Sequence, residues 1–361
     1  MARLTRRFGI LVTAFVMLAA QTALGQVTTE ASPAIAGAQK ARVEAIRIHS
    51  AQISGNLLGT SSERDVYVVL PPGYDRQPKR RYPVIYALHG FSISADQWLK
   101  EIHVPATIEG AFAKGTPEMI VVFPNSKNEY GGAFYANSVT TGNFENFIAD
   151  ELITYIDAHY RTIARPEARG LVGHSMGGYG AARIGIRRAE RFGALYLMSP
   201  CCLTPQGTQG LSGQDAAVIT KLPSVAAAKD LPFSRIGPLA IAAAFSPNRN
   251  NPPLFVDLPV DEKGNERPLV VAKKAANAPL AFLDQYSYKV RKYRAIGMDV
   301  GDKDSLVGDT TKMHEALDAD GISNQFEVYQ GTHTSRVAFR LQDAVLPFFG
   351  RALSFDQKTQ P

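Results

Sequence analysis

Gly170-Leu-Val-Gly-His-Ser-Met-Gly-Gly178 is the stretch of sequence that decides the fold. An apolar run leads into it and an amphipathic run, residues 179–188, leads out, which predicts a tight turn from a buried strand into a helix. The central Gly173-His-Ser-Met-Gly177 has the pattern G-x-S-x-G, in which small neighbours let a strained serine lie between strand and helix. A glycine-rich turn without catalytic chemistry has the same appearance, so the rest of the chain decides between the two interpretations.

The sequence around this turn alternates between two patterns. Short, mostly apolar runs bounded by Gly, Pro or Asp predict strands buried on both faces of a parallel sheet, and amphipathic runs between them predict helices. This alternation favours βαβ units and an α/β fold with a mostly parallel, doubly wound sheet. The predicted strands are 45–53, 65–70, 82–88, 118–123, 170–173, 194–198, 293–300 and 325–329, and the predicted helices are 144–159, 177–188, 309–319 and 336–349.

One long region interrupts the alternation. Residues 201–290 are rich in Pro, Ala and Asn and lie between two predicted core strands. An insertion of this length is typical of a lid or a substrate-binding excursion, with a small second domain as the alternative. We therefore predict one domain over residues 43–353 with a lid-like insertion at about 201–290, a flexible segment before it (26–42) and a flexible tail after it (354–361).

The first 25 residues have the features of a targeting segment. Three arginines (Arg3, Arg6 and Arg7) precede an apolar run over residues 8–20, and Ala23-Leu-Gly25 provides small residues before a cleavage point. This pattern predicts a signal peptide over 1–25 and a protein that is exported, either periplasmic or secreted. The apolar run is short for a membrane span, although an uncleaved anchor is the alternative, and the paired arginines hint at twin-arginine export.

Charge and cysteine content exclude several classes of protein. The chain has a net charge of +6, but removal of the three leader arginines leaves 36 basic against 33 acidic residues, and no basic run is interleaved with aromatics. We therefore predict no nucleic-acid partner. The two cysteines, Cys201 and Cys202, are adjacent and give no disulfide framework, so their simplest interpretation is two small side chains after a buried strand. No motif for a cofactor or a metal is evident, and neither is predicted.

A serine nucleophile needs a general base, for which histidine is the usual residue. The chain has seven histidines. In a strand–turn–helix setting of this kind the base follows the nucleophile and the acid along the chain, so only His314 and His333 come late enough. His314 lies within an amphipathic helix, whereas His333 lies in a loop directly after the last predicted strand. We therefore predict that His333 is the base for Ser175.

The base needs a carboxylate to orient it, and the developing oxyanion needs hydrogen-bond donors. Asp299, Asp302 and Asp304 all lie near the end of the strand that precedes His333. Asp304 is the predicted acid, with Asp302 and then Asp299 as alternatives. The predicted oxyanion donors are the backbone N–H groups of Met176, next to the serine, and of Phe91, in the loop after an early strand.

In their combined order these motifs resemble the putative-esterase (esterase D-like) family of α/β-hydrolases, which includes feruloyl and acetyl xylan esterases and the mycolyltransferases. The resemblance covers about residues 60–200 and 292–350, and it implies the α/β-hydrolase fold and a serine esterase activity. In the family pattern the acid is the aspartate that follows a glycine and two variable residues, so the resemblance also implies Asp304 as the acid. Residues 201–290 depart from it and leave the substrate open. The shared features are Tyr67-Val-Val-Leu-Pro-Pro-Gly-Tyr74, Tyr82-Pro-Val-Ile-Tyr-Ala-Leu-His-Gly90, Trp98, Gly173-His-Ser-Met-Gly-Gly178, Gly301-Asp-Lys-Asp-Ser-Leu306 and Gly331-Thr-His333.

These observations predict a carboxylic ester hydrolase that forms an acyl-enzyme on Ser175. The expected substrate is an extracytoplasmic ester, either small or linked to a polysaccharide, such as an acylated sugar, a hydroxycinnamate or a short-chain ester. An acyltransferase with the same triad and a non-catalytic binding protein are the alternatives. Tyr130, Phe134, Tyr135 and Trp98 are predicted to line the substrate pocket, with simple loop packing as the alternative for the residues between 130 and 135.

Overall fold

A computed structural model describes residues 29–205, 207–208 and 210–357. The predicted signal peptide, residues 26–28 and the end of the predicted tail lie outside the described residues. In the part that the structure describes, an eight-stranded sheet forms the centre. Its strands are β1 (Arg42–His49), β2 (Glu63–Leu70), β3 (Val84–Leu88), β4 (Ile120–Pro124), β5 (Arg169–His174), β6 (Ala194–Met198), β7 (Ala295–Gly301) and β8 (Gln325–Tyr329).

The strands lie in the spatial order β1-β2-β4-β3-β5-β6-β7-β8. Strands β1 and β2 pair antiparallel, as do β2 and β4, while every pair from β4 to β8 is parallel. This arrangement confirms the predicted α/β fold with a mostly parallel sheet. Because parallel strands end at the same edge, the loops after β3, β5, β6, β7 and β8 converge at one side of the sheet, where ligands bind in folds of this kind.

Helices cover both faces of the sheet. The regular ones are α1 (Ala95–Glu101), α2 (Ala106–Ala113), α4 (Met176–Arg187), α5 (Gly213–Thr220), α6 (Phe233–Phe245), α7 (Pro268–Ala275), α8 (Leu283–Val290) and α9 (Val307–Ala319). Two longer helices contain a π-helical turn: α3 consists of Phe144–Asn146, Phe147–Leu152 and Ile153–His159, and α10 of Val337–Arg340, Leu341–Val345 and Leu346–Ala352. Short 3₁₀ turns lie at Pro166–Ala168, Ala189–Arg191, Val225–Asp230 and Pro279–Ala281.

The hydrophobic core has two parts, one on each face of the sheet. Helices α1, α2 and α10 cover one face, and α3, α4, α8 and α9, together with the insertion, cover the other. The central strands β3, β4, β5 and β6 are buried along their whole length, as their apolar sequences predict.

The prediction of strands buried on both faces is wrong for the last strand. In β8 (Gln325–Tyr329) Tyr329 alone is fully buried, and Val328 is 47% exposed. The reason is its place in the sheet, because β8 pairs only with β7 and forms an edge. Strand β1, at the opposite edge, is also largely exposed. It covers Arg42–His49, so both of its ends lie a few residues earlier than the ends of the predicted range 45–53.

Two segments outside the regular alternation pack against the domain. Residues 201–290 carry helices α5 to α8 and lie above the carboxyl ends of the strands. The N-terminal segment, predicted to be flexible, is held at both of its described ends. The carbonyl of Thr29 accepts a hydrogen bond from His103 Nε2 (3.0 Å), and Ala41 N donates to Glu109 (2.9 Å). Among the described residues, none of the helices has both the length and the apolar character needed to cross a membrane.

Candidate active site

The turn between β5 and α4 has the strained geometry that its sequence predicts. Ser175 has φ 59° and ψ −117°, a conformation that side chains rarely adopt, and it is immediately followed by the first residue of α4. A side chain at Gly173 would overlap the backbone of Gly177, and one at Gly177 would overlap the carbonyl of Leu88. The two glycines are therefore required by the close passage of α4 over the sheet.

Ser175 and His333 are in direct hydrogen-bond contact although they are far apart in sequence. The distance from His333 Nε2 to Ser175 Oγ is 2.8 Å, and that from His333 Nδ1 to Asp304 Oδ2 is 2.7 Å. Because a carboxylate only accepts, Nδ1 carries the proton and Nε2 accepts from the serine hydroxyl. This is the tautomer in which an imidazole can remove the serine proton during attack on an acyl carbon.

The structure brings Asp304, and not its two alternatives, to the histidine. Asp304 is buried, and its second oxygen accepts from Leu306 N (3.0 Å). Burial opposes the charge, but the hydrogen bond and charge of His333 outweigh it and lower the pKa of this carboxyl. Asp302 instead accepts from Gly331 N (2.9 Å), and Asp299 lies inside the sheet, paired with Arg340 (2.7 Å).

The two predicted oxyanion donors face the same cavity as the serine. Phe91 and Met176 both line that cavity beside Ser175. As the first residue of α4, Met176 has no acceptor within its own helix. Within the described chain, no backbone carbonyl accepts from Phe91 N. Both N–H groups are therefore available to a ligand, and the N-terminal end of α4 adds its favourable dipole.

A large cavity opens over Ser175 beneath the insertion. Its volume is about 650 Å³ and its wall is mostly apolar. Helix α6 supplies part of the wall, and Asp215 and Ser234 add polar groups to it. The principal apolar lining residues are Phe91, Phe134, Phe233, Pro238, Ile241 and Leu306. A cavity with this lining fits an acyl group that is largely apolar.

A second cavity meets Ser175 from the other side. It measures about 270 Å³ and lies between α1, the start of α10 and Thr29. Phe233, at the start of α6, lines both cavities, and its ring packs edge-on against Phe91 at 5.7 Å. Phe233 therefore contributes to the walls of both cavities, as do Phe91, Ser175 and His333. Nothing in the sequence marked Phe233, because its neighbours lie in the insertion for which no pattern was recognised.

The four predicted substrate-lining aromatic residues have different positions. Phe134 lines the large cavity, and Trp98 borders the second cavity while its ring packs on Phe123. Tyr130 and Tyr135 are fully buried, with hydroxyls that donate to the carbonyls of Leu254 (3.1 Å) and His89 (3.0 Å). Their contacts correspond to the loop-packing alternative.

Two buried histidines support the site from below. His174 Nε2 donates to the carbonyl of His333 (2.8 Å), and the two rings lie 4.8 Å apart. Burial, followed by the nearby His333, lowers the pKa of His174 to about 3, so it stays neutral. His89 donates from Nδ1 to Gly90 O (2.8 Å) and accepts at Nε2 from Ser126 N (2.9 Å). Both histidines hold the loops that carry the predicted catalytic groups.

His89 makes the stability of the fold dependent on pH. Burial lowers the pKa of His89 to about 4, and protonation would turn its acceptor nitrogen into a donor facing Ser126 N–H. The unfolded chain takes up this proton below about pH 6.5, so the stability that neutral His89 gives to the fold is lost as the pH falls towards about 4. We expect the titration of His89 to lower the free energy of unfolding by about 2 kcal/mol between pH 7 and pH 5.

Urea denaturation at pH 7 and pH 5 measures this effect. His89→Gln is the matched variant, because an amide oxygen can accept from Ser126 N without titrating. Its unfolding free energy is expected to vary less with pH than that of the wild type, whatever its absolute value. Equal pH dependence in both proteins would contradict the assignment. The comparison between the two also cancels the opposing effect of Asp299, whose pKa burial raises to about 6.

The remaining candidates from the sequence are placed elsewhere or in unexpected surroundings. His314 lies on α9 and forms a hydrogen bond with Asn324 (2.8 Å). It does not line the cavity over the serine. Cys201 and Cys202 follow the buried strand β6, as interpreted, and they also line the large cavity. Over the described ranges, no group of three or more His, Cys, Asp or Glu side chains is arranged to hold a metal ion.

Comparison with known proteins identifies a family and several relatives. The family model described as "Putative esterase" matches residues 59–342. An endo-1,4-beta-xylanase/feruloyl esterase of Xylanibacter ruminicola is 30% identical over 152 residues, which are 41% of this chain and 21% of the relative. An esterase of Mycobacterium tuberculosis is 31% identical over 131 residues, 35% of this chain and 27% of the relative. The chain thus spans about a quarter or less of the length of these relatives.

Solved structures share the fold over a much larger part of the chain. A ferulic acid esterase superposes with a TM-score of 0.62 and 24% sequence identity, covering 88% of this chain and 99% of that structure. The likeness establishes the α/β-hydrolase fold, with its mostly parallel central sheet flanked by helices.

Proposed function

Since the chain belongs to the putative esterase family, we propose that it is a carboxylic ester hydrolase in which Ser175 is the nucleophile, His333 the base and Asp304 the acid. The observation that carries the proposal is the continuous relay from Asp304 Oδ2 through the His333 ring to Ser175 Oγ, with distances of 2.7 and 2.8 Å. A glycine-rich turn without catalytic chemistry does not require a hydrogen bond between its serine and a histidine that a buried carboxylate orients.

The reaction proceeds in two steps. Ser175 Oγ attacks the ester carbonyl while His333 Nε2 accepts its proton, and the N–H groups of Met176 and Phe91 bind the oxyanion. His333 then protonates the departing alcohol, which leaves an acyl group on Ser175. Water, deprotonated by the same histidine, attacks the acyl-enzyme and releases the acid. Asp304 stays ionised throughout and stabilises the imidazolium, consistent with its lowered pKa.

The cavities support a substrate with an apolar acyl group. The wall of the large cavity combines phenylalanine rings with the polar residues Asp215 and Ser234. A hydroxycinnamate combines an aromatic ring with polar ring substituents, and one relative carries feruloyl esterase in its name. We therefore propose an aromatic or medium-chain acyl ester, free or attached to a sugar, as the substrate, and export as the location, on the strength of the leader sequence.

Kinetics on a set of esters tests the proposed function. The chain from residue 26 onwards is assayed on p-nitrophenyl acetate, butyrate and octanoate and on methyl ferulate, and Ser175 is labelled with a fluorophosphonate probe. Turnover of at least one ester together with labelling at Ser175 is the expected result. Absence of both turnover and labelling would sink the proposal and favour a binding protein on the same scaffold. Product analysis with added alcohol distinguishes hydrolysis from acyl transfer.

Phe233→Ala is expected to change the acyl preference. The truncation removes an aromatic ring from the walls of both cavities that border Ser175, so bulky acyl groups gain space while short ones lose a packing partner. The ratio of kcat/KM for octanoate to that for acetate is expected to rise about tenfold. Tyr288→Ala is the matched control, because Tyr288 is equally exposed in the insertion (61% in both cases) but borders neither cavity. An unchanged ratio in Phe233→Ala would contradict the assignment.

A further inference from the structure

Cys201 and Cys202 form a pair of free thiols in the wall of the large cavity. They are the only cysteines of the whole sequence. They follow β6, both side chains are half-buried, and the two Sγ atoms are 2.9 Å apart. The pair therefore presents two sulfur atoms side by side to the same space that the proposed substrate occupies.

The pair is also close to the proposed nucleophile. Cys201 N donates to the carbonyl of Ser175 at 3.2 Å, so the two backbones are in contact. The Ser175 and His333 side chains line the cavity together with both cysteines. A substituent held by the two sulfur atoms would project into this cavity and narrow the approach to Ser175.

Cys202 has a lysine among its neighbours. Cys202 and Lys274 line the same small cavity of about 20 Å³ on the far side of the pair. Burial lowers the pKa of Lys274 to about 8, an effect that the nearby Cys202 partly offsets. The contact with Cys202, together with burial, raises the pKa of the Cys201 thiol.

A disulfide is a poor outcome for this pair, because adjacent residues can form one only in a strained ring. A ligand atom that bonds to both sulfur atoms closes a larger ring with less strain. We propose that Cys201 and Cys202 form a binding site for trivalent organoarsenicals, and that occupation of this site blocks the cavity over Ser175. Binding is independent of the proposed function, whereas its effect on catalysis rests on that function.

The reaction is balanced without an oxidant or a reductant. An aryl arsenic(III) dihydroxide, R–As(OH)₂, is attacked by one thiolate of the pair, which forms one As–S bond and releases one oxygen ligand as water. The other cysteine forms the second As–S bond with loss of a second water, and the two thiol protons leave with the two oxygen ligands. Arsenic keeps its oxidation state, and the R group remains in the cavity.

Intact mass measurement with phenylarsine oxide tests the binding step. The wild-type protein is expected to gain one phenylarsenic group per chain, and 2,3-dimercaptopropanol but not 2-mercaptoethanol is expected to remove it. Cys201→Ser and Cys202→Ser should each lose the stable adduct. Ser175→Ala should keep it, because the proposed nucleophile takes no part. A stable adduct on either single-cysteine variant, or none on the wild type, would overturn the site.

Fluorophosphonate labelling of Ser175 tests the blocking step. The fluorophosphonate is expected to label Ser175 at least about tenfold more slowly in arsenical-treated wild type than in untreated wild type, since access to the serine is restricted. Each cysteine variant is compared with its own untreated rate, and the arsenical should leave that rate unchanged. An adduct that leaves labelling unaffected would overturn the blocking. If untreated protein neither labels nor hydrolyses esters, the proposed function fails, while the mass measurement still decides the site.

Discussion

Ser175→Ala is expected to lower kcat on p-nitrophenyl butyrate by roughly 10⁵- to 10⁶-fold, the largest effect of any single substitution in this chain. The substitution removes the hydroxyl that donates to His333 Nε2, so no covalent intermediate can form. The oxyanion donors and both cavities remain, and they would sustain a residual rate above that of water alone. Stopped assays over long incubation times are needed to measure it.

A matched serine separates loss of the nucleophile from a general disturbance of the cavity. Ser305 also borders the large cavity but makes no hydrogen bond to His333. Ser305→Ala is expected to cost no more than about tenfold in kcat/KM. The urea midpoint of Ser175→Ala should stay close to that of the wild type, because its backbone hydrogen bonds are unaffected. Near-normal hydrolysis by Ser175→Ala would contradict the mechanism.

Asp304→Asn is expected to lower kcat by roughly 10³- to 10⁴-fold. The neutral amide can no longer stabilise the imidazolium that forms when His333 accepts the serine proton. It can also present its NH₂ group to His333 Nδ1, which would favour the tautomer whose Nε2 carries a proton and cannot act as the base. Comparison of kcat and KM on one ester distinguishes this effect from a loss of substrate binding.

Asp302→Asn is the control for this variant. Asp302 lies two residues away and accepts a hydrogen bond from Gly331 N, which an asparagine oxygen can also accept. We expect kcat of Asp302→Asn to fall less than about tenfold, by the small distortion of the loop that carries His333. If Asp302→Asn loses as much activity as Asp304→Asn, the assignment of the acid would be wrong.

Local patterns predicted most of the fold. The stretch 170–178 predicted a strand, a strained turn and a helix, and β5 and α4 have these positions because glycine spacing and apolar runs act over a few residues. The same reasoning failed at β8, because whether a strand lies at an edge depends on its neighbours and not on its own residues. Local patterns also predicted Tyr130, Phe134 and Tyr135 alike to line the substrate pocket. Of these three residues only Phe134 lines the large cavity, while the two tyrosines are buried in loop packing.

The sequence by itself determined which residues are chemically equipped for the site. The serine turn, the late histidine and the acidic loop are each recognisable from a few adjacent residues, since turn geometry and apolar runs are local properties. Only the tertiary structure decided which of Asp299, Asp302 and Asp304 reaches His333, because Asp299 lies within β7 while the other two lie in the turn after it, where their side chains have different partners. It also placed Phe233 and the cysteine pair beside Ser175, since the packing of an insertion over a sheet follows from long-range contacts that no short pattern encodes.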